Sequence, residues 1–220
     1  MSIHQKVGKP EDYVYPLISR RPLLMTQAGI AEYRFDMRDI ALGLSRSYRY
    51  AGQSSFTVAK HSIIVAQVVY DMTRCPELAK RALLHDAPEA FMCEVPQPCR
   101  TLKTVEWRLL EEGLQTAIYG EFISSAHNLA IDEAFIKLVD KAVVYNEFIV
   151  DHGEYPEKGV AANSLFSKTT ARLVKDVSFG EYEYEDFLSY AQHLGMYHGS
   201  TTLPERLRGG AMARPCQEDG

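Results

Sequence analysis

Apolar positions recur along most of this chain at the three- and four-residue spacing of helices, and the alternation that marks strands is nearly absent. In the run Phe56-Thr-Val-Ala-Lys-His-Ser-Ile-Ile-Val-Ala66, helical spacing puts His61 on one stripe with Ile64, Val65 and Val68, and Thr57 is placed to cap the helix. Pro76 suits the first turn of the next helix, which carries Leu78, Ala82 and Leu83 toward His85-Asp86. Pro88 follows, and its ring clashes with the carbonyl four residues back, at Leu84, so the backbone is expected to kink or stop there. Asp36 is expected to cap a short helix through Ile40, Leu42 and Leu44. A helix is predicted over Val105–Tyr119, and another from Asp132, read as its cap, to His152, ended by Gly153. Two more are predicted over Ala161–Lys175 and Tyr182–Leu194. Residues 1–35, broken by Pro10, Pro16 and Pro22, read as irregular, Ala51–Ser55 as a loop and Val95–Pro98 as extended. The expected architecture is an all-α bundle of six to eight helices in one domain over 1–203, with a loose tail over 204–220.

Composition narrows the classes. At 220 residues with 46% hydrophobic and 24% charged positions, the chain suits one soluble domain, or at most two. A net charge of −5 supplies no global basic field to recruit nucleic acid by its phosphates. No apolar run approaches the roughly 20 residues of a membrane span, and Met1-Ser-Ile-His-Gln-Lys lacks a signal-peptide core. Cys75, Cys93, Cys99 and Cys216 form no Cys-x-x-Cys pair, so neither a zinc knuckle nor a disulfide framework is implied, and the cytoplasm (a host's, if the chain is phage-encoded) is expected.

Three polar stations stand inside apolar helical stretches: His61, His85-Asp86 and Asp140, the last flanked one turn away by Ile136, Val143 and Val144. Burying an unpartnered carboxylate costs several kcal/mol, so something cationic should meet these groups. Two imidazoles and two carboxylates converging from separate helices would meet that need around one divalent ion. The bland readings are a satisfied core histidine at 61 and, at 140, a buried ion pair with Lys137 or Lys141, although those lysines lie on other helix faces. His4, His127, His152, His193 and His198 are scattered, with no ligand spacing.

The order His61, His85-Asp86, Asp140 resembles the His…His-Asp…Asp signature of HD-domain metal-dependent phosphohydrolases. Phe56-Thr-Val-Ala-Lys-His-Ser, Leu84-His-Asp-Ala-Pro-Glu-Ala and Cys93-Glu-Val-Pro-Gln-Pro-Cys-Arg resemble blocks of its bacterial and phage 5′-deoxynucleotidase-like branch, which includes phage enzymes that hydrolyse deoxyadenosine triphosphate. Asp39-Ile-Ala-Leu-Gly-Leu-Ser-Arg-Ser-Tyr-Arg-Tyr-Ala-Gly resembles the segment that supplies a phosphate-binding arginine there. The resemblance spans about residues 33–150.

It implies an HD-type bundle that hydrolyses deoxynucleoside 5′-phosphates. The metal ligands would be His61, His85, Asp86 and Asp140, holding one divalent ion (Co, Mn, Zn, Fe, Ni or Mg). Binuclear relatives need further histidines before the last Asp, and only His127 falls there, so a single metal is expected. Glu89, four residues after His85, would be the general acid/base if the helix persists past Ala87, its bland reading being a solvated helix-end acid. Arg49 would clamp the phosphate, with Arg46, three residues earlier on a similar face, competing for the role. Glu94 stands where relatives usually carry Asp, and Lys60 where Glu or Gln is usual. A homodimer or higher oligomer fits relatives of this type. The rival readings are a deoxynucleoside triphosphate triphosphohydrolase selective for adenine, a nucleotide-binding module without catalysis, and an interaction protein that keeps a metal for stability.

Overall fold

The computed structural model describes residues 8–123, 129–153, 174 and 183–207. The fold is mostly helical, as the periodicity predicts. In chain order the helices are α1 (Gln27–Glu32), α2 (Met37–Arg46), α3 (Arg49–Gly52), α4 (Val58–Thr73), α5 (Pro76–Leu83), α6 (Glu89–Met92), α7 (Val105–Phe122), α8 (Leu129–His152) and α9 (Glu183–His193). Among the described residues these nine helices exceed the expected six to eight because two of them, α3 and α6, are single four-residue turns beside the site.

The capping signals act as read. Asp36 accepts from Arg38 N and Thr57 from Lys60 N, Pro76 opens α5, and Gly153, at φ +83°, ends α8 by donating to Ile149 O at 2.8 Å. The apolar stripe of α4 becomes the centre of the core: Ile64, Val65 and Val68 are fully buried, and α4 packs against α5, α8, α9 and α2.

Several expectations are corrected. Residues 8–35 are not wholly irregular: Tyr13–Val14 pairs antiparallel with Leu23–Leu24, and α1 follows, capped by Thr26. The backbone of α1 comes so close to Leu24 that a Cβ on Gly29 would lie 2.5 Å from Leu24 O, a contact local periodicity cannot announce. Gln97 and Pro98 belong to a 3-10 helix, Gln97–Leu102, which the extended Pro96 precedes. Asp132 does not cap α8, which starts three residues earlier and carries it in the first turn. The stretch after 203 begins as a docked turn, Glu205–Leu207, from which Arg206 donates to Leu17 O at 3.2 Å. The helix expected over Ala161–Lys175 and the loop holding His127 lie outside the described residues, apart from Val174, which is helical and buried.

Candidate functional site

Pro88 sets the local geometry as predicted. α5 stops at Leu83, and residues 84–88 form turns before Glu89 opens α6. Where the helix stops, the Ala82 carbonyl takes a long contact from His85 N, at 3.5 Å, and His85 Nδ1 donates to it at 2.7 Å. The other ring nitrogen, Nε2, therefore points its lone pair into the interior, 3.2 Å from Asp86 Oδ2.

α4 delivers His61, which is wholly buried. Its Nδ1 meets Glu147 Oε1 at 3.0 Å, so this nitrogen carries the donated hydrogen and Nε2 is again the free one. That Nε2 lies 3.0 Å from Asp140 Oδ1 and 3.9 Å from Asp86 Oδ2. Neither Nε2 finds a partner in hydrogen-bond geometry. His61, His85 and Asp86 each offer a ligand atom within 4.8 Å of the others, and α8 brings Asp140 against the same His61 nitrogen.

With both imidazoles neutral and their hydrogen on Nδ1, the two Nε2 lone pairs and the two carboxylates form one set of donor atoms turned toward each other. The donor chemistry fits a divalent cation of the kind that accepts nitrogen and oxygen together. Ligands about 2.1 Å from one ion stand about 3.0 Å apart at a right angle and about 3.4 Å apart at the tetrahedral angle, close to the 3.0–3.9 Å separations here. Both histidines have the back nitrogen tied to an acceptor, the arrangement that aims an imidazole at a metal.

The charge balance of the cluster points the same way. Burial opposes the charged form of His85, yet the adjoining Asp86 carboxylate raises its pKa to about 9. For His61, burial and Arg49 lower the value, but Glu147 and Asp140 outweigh them and raise it. Despite its own burial, Asp86 is held below the usual carboxylate range by His85, and Asp140 is lowered chiefly by His61. In the metal-free protein, protons on the imidazoles thus compensate charge that a cation would otherwise neutralise.

Glu89 is brought to the cluster although the helix that was to carry it does not persist. It is buried at the start of α6, and burial first, then the Asp86 charge, pushes its pKa up to about 9. It shares a cleft of about 250 Å³ with His85, Asp86 and Arg108. A second cleft of about 420 Å³ opens between α7 and α8 and is lined by His85, Gln115, Thr116, Tyr119, Lys137 and Asp140 among others. The cluster is therefore reachable from outside through Asp86 and Asp140, its more exposed members.

Arg49 is buried and turned into the cluster. Its Nη1 lies 3.5 Å from Asp86 Oδ2 and its Nε 3.3 Å from Glu147 Oε2. Arg46 does not share its face: α2 ends at Arg46, the chain turns, and Arg46 is exposed. Arg49 sits instead at the head of a left-handed turn in which Tyr50, Ala51 and Gly52 have φ of 55°, 54° and 83°. Non-glycine residues pay about 1–3 kcal/mol each for that conformation, so the surroundings must hold it. Arg49 N donates to Phe56 O at 2.9 Å, and Ala51 N donates to Glu94 Oε2 at 3.2 Å. Glu94 is thus occupied in bracing the arginine turn. Lys60 places its ammonium over the Phe56 ring, 4.6 Å from the centroid.

The sequence reading missed Glu147. It is fully buried and joins His61 to Arg49 from two turns beyond Asp140. The available signal was the seven-residue spacing on one helix, which puts both carboxylates on one face; a glutamate beside Asn146 and Phe148 otherwise gives no hint of burial.

Fold and site together define a mostly helical protein with a half-buried imidazole–carboxylate cluster open to a cleft. The chain matches no family model. It is 34% identical over 84 residues, 37% of its own length, to YfdR, an uncharacterized protein of Escherichia coli (strain K12), and that alignment covers 44% of the relative. Among the described residues no helix is long and apolar enough to cross a membrane.

Proposed function

We propose that this chain is a metal-dependent phosphohydrolase of the HD-domain type, acting on deoxynucleoside 5′-phosphates. One observation carries the reading: the buried His61 and the half-buried His85, each with its back nitrogen tied to an acceptor, turn Nε2 atoms without a hydrogen-bond partner toward Asp86 and Asp140. His61, His85, Asp86 and Asp140 would hold the cation. When bound, it would supply Lewis-acid polarisation of a phosphoryl oxygen and acidify water. The approach through a cleft favours a catalytic over a structural ion, since structural sites are closed by protein ligands.

The chain's own residues supply the rest. Hydrolysis adds water across a phosphorus–oxygen bond: the water oxygen joins phosphorus, and the leaving sugar oxygen takes up a proton. Glu89, whose carboxyl is held protonated near neutral pH by burial and Asp86, is the group suited to that proton traffic. Arg49 keeps a permanent positive charge beside Asp86 in a net-acidic protein, where a phosphate dianion needs one.

The test is a panel of mono-, di- and triphosphates of each ribo- and deoxynucleoside, with Mn, Co, Zn, Fe, Ni and Mg, reading the phosphate species released. Phosphate release from deoxynucleoside 5′-monophosphates is expected, with loss of both bound cation and turnover in Asp86→Ala and Asp140→Ala. Glu89→Ala should keep the cation and lose about 10²–10⁴-fold in turnover. Triphosphate release would move the assignment to the triphosphohydrolases, and no hydrolysis with any cation would overturn the enzyme reading.

A further inference from the structure

A fully buried carboxylate with no role in the chemistry above needs an explanation, because an ionised group in the interior costs several kcal/mol unless its partners repay it. Glu147 has two partners. Oε1 accepts from His61 Nδ1 at 3.0 Å, and Oε2 lies 3.3 Å from Arg49 Nε. Seven residues earlier on α8, Asp140 Oδ1 lies 3.0 Å from the opposite nitrogen of the same imidazole. Seven residues are two turns, about 10.5 Å of rise, so one helix face reaches both edges of the ring.

A neutral imidazole carries its hydrogen on either nitrogen, and the hydrogen bond on one side selects the state of the other. Glu147 is an acceptor only, so its contact requires hydrogen on Nδ1 and leaves Nε2 bare toward Asp86 and Asp140. The same carboxylate sits against Arg49, which offsets its charge and is thereby drawn to within 3.5 Å of Asp86. A glutamate that merely filled space would need neither contact.

We infer that Glu147 is the positioning residue of the site, fixing His61 as an Nε2 metal ligand through Nδ1 and anchoring Arg49 beside Asp86. This rests on the metal reading above. His61 is the ligand that most needs such help. His85 Nδ1 reaches the Ala82 carbonyl at the end of α5, where the backbone contact from His85 N is long at 3.5 Å, whereas His61 lies inside the continuous helix α4, whose interior carbonyls are already engaged.

The experiment uses the full chain with Zn²⁺ as probe, measuring Zn²⁺ affinity and the two-bond ¹H–¹⁵N signature of the histidine rings. In the Zn²⁺-loaded wild type, His61 should carry hydrogen on Nδ1 and bind through Nε2. Glu147→Leu should lose that signature and weaken Zn²⁺ binding about 10–100-fold, the usual effect of removing such a support. Glu147→Gln, whose amide oxygen still accepts from Nδ1, should restore the signature and most of the affinity. Because Glu147→Leu strands a buried cation, the double variant Arg49→Met with Glu147→Leu is compared with Arg49→Met alone, so that misfolding is not mistaken for lost positioning. Unchanged affinity and signature in Glu147→Leu, or in the double variant against Arg49→Met, would overturn the inference and leave the metal site standing. Binding of Zn²⁺ by His61 Nδ1 would do the same. A wild type that takes up no Zn²⁺, Mn²⁺ or Co²⁺ would overturn the metal reading and this inference with it.

Discussion

Raising the pH of the metal-free protein from about 6.5 to about 9 is expected to destabilise it, and adding a divalent cation to reverse the trend. The folded-state pKa of His85 is raised from 6.5 to about 9, so its contribution is fully present below 6.5 and lost as pH rises through about 9. Glu89, raised from 4.5 to about 9 by burial and then by Asp86, acts with the same sign, because the folded protein favours its protonated form. His61 is raised as well, while Asp86 and Asp140, both lowered, add stability that is already complete well below neutrality. At 1.36 kcal/mol for each tenfold change, the displacement of His85 alone corresponds to on the order of 3 kcal/mol. Its side chain is 12% exposed, so solvent screening removes little of this. For a chain of this length that is about 6–12 °C in Tm. Calorimetry or guanidinium denaturation of chelator-treated protein across pH 6–9.5 measures it directly. A saturating cation displaces the imidazole protons, so its stabilisation should grow with pH over the same range. Metal-free stability that is flat or rises between 6.5 and 9 would refute the reasoning.

Thr57→Ala removes the cap of α4 and the hydroxyl that donates to Glu183, and should cost about 1–2 kcal/mol in denaturant unfolding; a change under a few tenths would mean the cap is replaced by water. Gly43→Ala should destabilise by about 1–3 kcal/mol despite alanine's better helix propensity, because the new Cβ would lie 2.7 Å from both Cβ and O of Ala90. Since that contact seats α6, the same variant should lower turnover through Glu89, and a stability gain would contradict the close approach. Ala51→Gly relieves a φ of 54° and should stabilise by up to about 1 kcal/mol in chemical denaturation, whereas a loss would mean the turn is unstrained.

Local signals carried a large part of this protein. Period and caps alone place α4, α5, α7 and the body of α8, because a capping side chain bonds within its own first turn and an apolar stripe needs no knowledge of its partner. The break at Pro88 was legible for the same reason: a proline ring clashes with a carbonyl only four residues away. All four ligand candidates could be read as costly polar groups in apolar helical stretches, Asp140 with Ile136 and Val143 one turn away. What the tertiary structure decided are the contacts between distant segments. Gln97–Leu102 and α1 take shapes their local sequence does not demand, Arg46 is parted from Arg49 by the extended residues Ser47 and Tyr48, and the left-handed turn after Arg49 is braced at Ala51 by Glu94 from 43 residues away. Glu147 shows the difference most clearly. By itself it is one more acid on a long helix, and only the docking of α8 on α4 buries it between His61 and Arg49, 86 residues from that histidine in the chain. Helical periodicity records which face turns inward, but which charge meets which across the core depends on the packing of whole elements, and no local spacing encodes it.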